Sequence, residues 1–99
     1  MVMLLTLTNT DKKAIIDDWN YSRIKKFKWY LKQSRPDVYY VATSIRQNGK
    51  VKTVYLHRFI IQPKKGMDVH HKNTNTLDNQ EENLEEKGAP VHRTWHLHG

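Results

Sequence analysis

Paired and spaced imidazoles are the side chains of this sequence best suited to chemistry. His70 and His71 are adjacent, Asn83 follows twelve residues on, and His92 and His96 lie nine and thirteen residues beyond Asn83. An imidazole titrates near neutral pH and, when neutral, ligates divalent transition metals, so the set suits a metal centre with a proton acceptor beside it. Gly88-Ala89-Pro90 opens a helix, since proline is tolerated in a first turn where its missing N–H costs nothing. On that helix His92 and His96 are four apart, which places their Cβ atoms about 5–6 Å apart on one face, a spacing that chelates one ion. A third ligand must come from elsewhere, and the His70-His71 pair is the histidine source with the right reach. Neighbours on a strand point to opposite sides, so one imidazole of the pair can face the metal while the other approaches a substrate. Three neutral imidazoles leave a fourth position for water or a phosphate oxygen, the pattern of a catalytic rather than a closed structural zinc site.

The elements that must position these residues are short. Val2 to Thr8 is an apolar strand ended by the turn formers Asn9-Thr10-Asp11, and residues 13–17 form a second strand that pairs back on it. Asp17 or Asp18 then N-caps a short helix with Trp19, Ile24 and Phe27 on one side and Arg23, Lys25, Lys26 and Lys28 largely outward. Residues 28–56 read as a three-stranded antiparallel meander, turning at Ser34 to Asp37 and again at Asn48-Gly49. That Asn-Gly pair suits a type I′ hairpin because both residues tolerate positive φ. His57 to Ile61 is a turn of helix stopped by Pro63, and Lys64-Lys65-Gly66 leads into the histidine stretch. His57 itself is expected to be buried and hydrogen-bonded to backbone. Val69-His70-His71 and Asn83-Leu84-Glu85 are strands flanking a polar loop.

Charge supplies the partner. The net charge is +7, and between Trp19 and Met67 Asp37 is the one acid against twelve of the seventeen Lys and Arg residues. A basic face of that kind calls for a polyanion. With 99 residues the chain is one domain whose single core is marginal, so a bound metal would help to hold it. The absence of cysteine excludes disulfides and thiolate zinc sites. No apolar run approaches the roughly 20 residues that span a bilayer, and the first residues lack the flank of a signal peptide, so no membrane partner is expected.

The pattern His-His, eleven residues, Asn, eight residues, His, three residues, His resembles the HNH (ββα-metal) nuclease motif. Its four histidines are similar to those of the DNase colicins and pyocins. Upstream, Trp29-Tyr30, the Asn48-Gly49 turn, Leu56-His57-Arg58 and Leu77-Asp78-Asn79 before Asn83-Leu84 look like the small phage and intron-associated HNH homing endonucleases. The motif covers about a quarter of the chain, and the looser likeness most of it. The resemblance implies an α+β fold, a small antiparallel meander with short helices followed by a C-terminal ββα-metal finger. It divides the chain into a β-rich basic DNA-binding scaffold over 1–66 and the motif over 67–99. It implies His70, His92 and His96 as ligands of one divalent ion, His71 as general base, and Asn83 as the residue that fixes the loop and orients His71.

Phage enzymes of this type commonly carry Asp and Asn where His70 and His92 stand, a magnesium set. Imidazoles at both positions favour zinc, with nickel, cobalt, manganese or magnesium as alternatives. The implied activity is hydrolysis of double-stranded DNA in a bacterial cytoplasm or a phage-infected host cell. Arg58, Lys64, Lys65, Lys72 and Arg93 are the candidate phosphate contacts, and sequence preference should be weak because the chain stops at Gly99 without an appended recognition module. Two other readings stay open. The four histidines could be structural ligands of a zinc-stabilised DNA-binding module without catalysis, although adjacent histidines are awkward joint ligands of one ion. They could also be solvated residues beside the acidic patch of Glu81, Glu82, Glu85 and Glu86.

Overall fold

The structure is a computed structural model and describes residues 1–88. β1 (Val2–Thr6) and β2 (Lys13–Asp17) form an antiparallel hairpin with Leu4 opposite Ile15. A 3₁₀ turn (Asp18–Asn20) runs into α1 (Tyr21–Ile24), and β3 (Tyr30–Arg35), β4 (Val38–Gln47) and β5 (Lys50–Tyr55) make a three-stranded antiparallel sheet in that order. α2 (Leu56–Ile61) follows, and β6 (Met67–His71) pairs antiparallel with β7 (Leu84–Gly88), with His71 opposite Leu84 and His70 opposite Glu85. A second 3₁₀ turn (Glu81–Asn83) precedes β7.

Local chemistry accounts for most of these boundaries. Asn48 and Gly49 take φ of 54° and 78°, the two positive values a type I′ turn needs. Pro36, with its fixed φ, and Asp37, at φ 64°, close the β3–β4 turn. α2 ends where Gln62 turns left-handed at φ 53° and Pro63 removes the next donor. α1 stops after four residues because the carbonyl of Ile24 accepts the indole N–H of Trp29 at 2.8 Å and the Phe27 N–H at 3.2 Å, so no further helical turn can form on it.

Three small sheets share one core. Leu5, Ile16, Ile24, Trp29, Val41, Leu56, Ile60, Val69 and Leu84 are buried together, drawing on every sheet and both helices. Trp29 is its largest member and meets Phe59 and Phe27 edge-on, with centroids 5.7 and 6.2 Å away. Trp19, expected on the same apolar side as Ile24, is instead 62 % exposed, its indole N–H donating to Glu81 Oε2 at 2.9 Å. Arg23, expected to face outward, turns in. It donates to Asn20 Oδ1 at 2.8 Å and to the carbonyls of Phe59 and Ile60 at 3.3 Å, capping the end of α2, and its guanidinium lies 5.3 Å from the Phe59 ring centre.

The expected α+β fold ending in a ββα-metal finger is corrected. Among the described residues strand accounts for 49 % and helix for 18 %, so the architecture there is mostly antiparallel β, and no ββα-metal finger is evident. The physical reason is that both helices are cut short, one by Trp29 and the other by Gln62-Pro63, while paired strands carry the backbone hydrogen bonds. Among the described residues, α2 from upstream packs on the β6–β7 hairpin, with Leu56, Ile60, Val69 and Leu84 in one buried cluster. The helix expected after Gly88-Ala89-Pro90 lies outside the described residues. No helix among the described residues is long and apolar enough to cross a membrane.

Candidate active site

A cleft of about 640 Å³ opens between the β3–β4–β5 sheet and the β6–β7 hairpin. His57, His70 and His71 line it, with Tyr40 and Tyr55 as its aromatic wall and Arg35, Arg58 and Asp68 at its charged margin. The alternation expected of the histidine pair is present in β6. His71 falls with buried Val69 and is half-buried, whereas His70 falls with Asp68 and is exposed.

His71 is held on two sides. Its Nε2 lies 3.0 Å from Oδ1 of Asn79, which is 1 % exposed. The amide of Asn79 cannot be turned over without loss, because its Nδ2 donates to the Thr76 carbonyl at 3.2 Å. Asn79 therefore presents an acceptor, Nε2 carries the proton of the neutral imidazole, and Nδ1 keeps the lone pair. On its other flank His71 stacks on Tyr40, with ring centres 6.0 Å apart and planes at 25°, and tilts against His57 at 4.9 Å. Burial lowers the pKa of His71, and the positive field of His70 adds to this. The hydrogen bond to Asn79 and the charge of Asp78 oppose it. The outcome is an imidazole that is neutral at pH 7.

Asn79 owes its place to the other end of the chain. Its N–H donates to the Ile15 carbonyl and the Ile15 N–H donates to the Leu77 carbonyl, both at 2.8 Å, so the 77–79 segment adds to the free edge of β2. Two residues further along β2, the buried carboxylate of Asp17 accepts the Glu81 N–H at 2.8 Å. Asp17 sits at the N-cap position of its own turn but caps the turn before β7 instead.

Asn83 is buried and ties the loop together. Its Nδ2 donates to Asn73 Oδ1 at 2.9 Å and to the Asp78 carbonyl at 2.8 Å, while its Oδ1 accepts the Asn73 N–H at 3.1 Å. The atom that meets the His71 ring nonetheless belongs to Asn79. Within this loop Thr74 adopts φ 62°, a strained value for a β-branched residue.

Of the candidate phosphate contacts, Arg58 lines the cleft and pairs with Asp68 at 3.4 Å, whereas Lys64, Lys65 and Lys72 are exposed outside it. Arg93, His92 and His96 lie outside the described residues. Among the described residues no three His, Asp or Glu side chains come together to hold a metal ion. His70 is thus the described member of the expected ligand set. It stands exposed on the rim, with an imidazole's chemistry suited to a transition metal.

His57 and Asn79 were not singled out by the sequence for these places. His57 is 7 % exposed and packs against Tyr40, Tyr55 and His71 at ring-centre distances of 5.1, 5.8 and 4.9 Å, and among the described residues it lacks the expected bond to backbone. Its pKa is pushed down to about 3, first by burial and then by the nearby His71, Arg58 and His70. No family, curated protein or solved structure matches this chain.

Proposed function

We propose that the chain is a metal-dependent endonuclease of HNH type that hydrolyses phosphodiester bonds of double-stranded DNA with weak sequence preference, His71 being the general base. The observation that carries this reading is the state of His71. It is a neutral imidazole on the wall of a cleft, with Nε2 committed to a buried asparagine and Nδ1 left as acceptor. A base so held has one protonation state and one orientation before substrate arrives. Nδ1 of His71 takes a proton from a water molecule, the hydroxide oxygen bonds to phosphorus, and the bond from phosphorus to the 3′ oxygen breaks. No covalent enzyme intermediate is needed.

The cleft margin suits a phosphate. Arg58 is bound to Asp68 in an exposed pair, worth at most about 1 kcal/mol, so its guanidinium can move to a phosphate oxygen at little cost. Arg35 lines the opposite wall, and the exposed lysines 64, 65 and 72 extend the positive field that draws DNA in. When bound through His70, with His92 and His96 as the further ligands, one divalent ion supplies charge at the scissile phosphate and at the leaving oxygen. Zinc is favoured by an all-imidazole set, and nickel, cobalt, manganese and magnesium are the alternatives.

The test is cleavage of supercoiled plasmid by protein stripped with chelator and reloaded with each metal in turn, beside His71→Ala. Metal-restored nicking or cutting that His71→Ala loses while still binding DNA supports the reading. DNA binding without cleavage in any metal refutes it and leaves the zinc-stabilised DNA-binding module.

A further inference from the structure

Burying an imidazole without a hydrogen-bond partner is costly, and the cost is avoided only where something other than the protein completes the bond. His57 is such a group. It is 93 % buried, being 7 % exposed, and its ring nitrogens bond to nothing among the described residues. Yet among the described residues no side-chain nitrogen or oxygen that is sealed from solvent lacks a partner. Within the described residues the ring nitrogens of His57 are thus open to solvent, and the opening His57 lines is the cleft. Tyr40, Tyr55 and His71 surround the ring and hold it still. Phenylalanine would fill the same aromatic box without a polar edge, so packing alone gives no reason for an imidazole at this position.

We propose that His57 is a second imidazole of the site, a neutral hydrogen-bond donor to a non-bridging oxygen of the phosphodiester as that phosphate lies over His71. This rests on the nuclease reading above. The ring centres of the two histidines are 4.9 Å apart, so a phosphate within reach of one lies beside the other. Burial keeps His57 neutral throughout the working range, and a neutral imidazole has one N–H to give. The ring is held in place before the substrate arrives, and the bond its N–H makes strengthens as charge grows on the phosphoryl oxygens in the transition state. His57 moves no proton in the reaction; His71 does.

Two variants separate donation from packing. His57→Phe keeps a ring in the aromatic box and removes the N–H, whereas His57→Gln keeps an N–H of similar reach. Loss of one preorganised donor should lower kcat by about 100-fold in His57→Phe, with KM little changed, and His57→Gln should recover part of it. A folded His57→Phe that cleaves plasmid at the wild-type rate overturns the proposal.

A second measurement does not depend on cleavage. In chelator, the ring ¹⁵N–¹H signals of His57 in the wild-type protein are followed as a short DNA duplex is added. A downfield ring proton that becomes protected from solvent exchange supports the contact. Unmoved His57 signals at saturating DNA overturn it. Protection of His57 with no cleavage in any metal upholds the phosphate contact while sinking the nuclease reading.

Discussion

Acid should unfold this protein through His57. Folding takes its pKa from the ordinary 6.5 to about 3, the first cause being burial. The unfolded chain therefore binds a proton at this residue well before the native one does. Stability contributed by the neutral ring is complete above about pH 6.5 and is lost progressively as pH falls toward about 3, since the state that binds more protons gains. Each pH unit inside that window is worth about 1.4 kcal/mol. Between about pH 7 and pH 5 the integrated loss is about 2 kcal/mol, a large share of the roughly 5–15 kcal/mol that holds a domain of this size. His71, lowered in the same direction, adds to the loss. Urea unfolding of wild type and His57→Phe in chelator at the two pH values measures the His57 share directly. The variant keeps the ring and cannot titrate, so its stability should fall by about 2 kcal/mol less than that of wild type over the same interval. If both proteins lose the same amount, burial of His57 is not what makes the fold acid-sensitive, and the solvent-reaching nitrogens described above must be hydrated well enough to bind a proton in the native state.

Three other outcomes are expected. Asn79→Ala strips Nε2 of His71 and the Thr76 carbonyl of a partner each, which should cost about 1–3 kcal/mol in unfolding experiments. It should also lower the His71 pKa further, because the missing bond opposed the effect of burial; an unchanged or raised pKa by NMR titration would refute the assigned hydrogen bond. Thr74→Gly removes a β-branched side chain from φ 62°, a relief of about 1–2 kcal/mol set against about 0.5–1 kcal/mol of added unfolded-state freedom. The thermal midpoint should rise by a few degrees, and a fall would show that the Thr74 Oγ1 bond to the Asn73 carbonyl matters more than the backbone strain. Replacing Lys64 and Lys65 with alanine should weaken binding to unrelated duplexes alike and make the log-log salt slope shallower by up to about 0.9 for each phosphate no longer neutralised. Weakening confined to one sequence would count against binding through the DNA backbone.

Much of the strand layout was legible because it follows from neighbours in sequence. Asn48-Gly49 announces its own positive φ values, and Pro63 its own helix stop. The β1–β2 hairpin likewise follows from two short apolar runs around a polar turn. What could not be read depends on partners far along the chain. β3 begins at Tyr30, two residues later than expected, because Trp29 goes into the core and spends its N–H on Ile24. Trp19 is exposed because Glu81 offers its indole an acceptor, and Arg23 is internal because the end of α2 offers it two carbonyls. For the site, spacing singled out the His70-His71 pair, but several asparagines lie within reach of that loop. Choosing Asn79 over Asn83 as the partner of the His71 ring requires the bridge from Ile15, which no local pattern encodes.

That bridge also bears on when the site can exist. The hydrogen bonds that seat the 77–79 segment and the turn after it join residues made early in synthesis to residues made more than sixty positions later, as in Asp17 to Glu81 and Trp19 to Glu81. A nascent chain that has emerged only as far as Pro63 carries a β2 edge with nothing to pair to it, an open template for other strands. The meander can fold in that interval, since its contacts are local, but His71 cannot be oriented until the loop is released and returns to the first hairpin. A chain still short of that point holds its acceptor imidazole in no fixed direction, so the orientation of the His71 ring is set by a late, long-range step of folding.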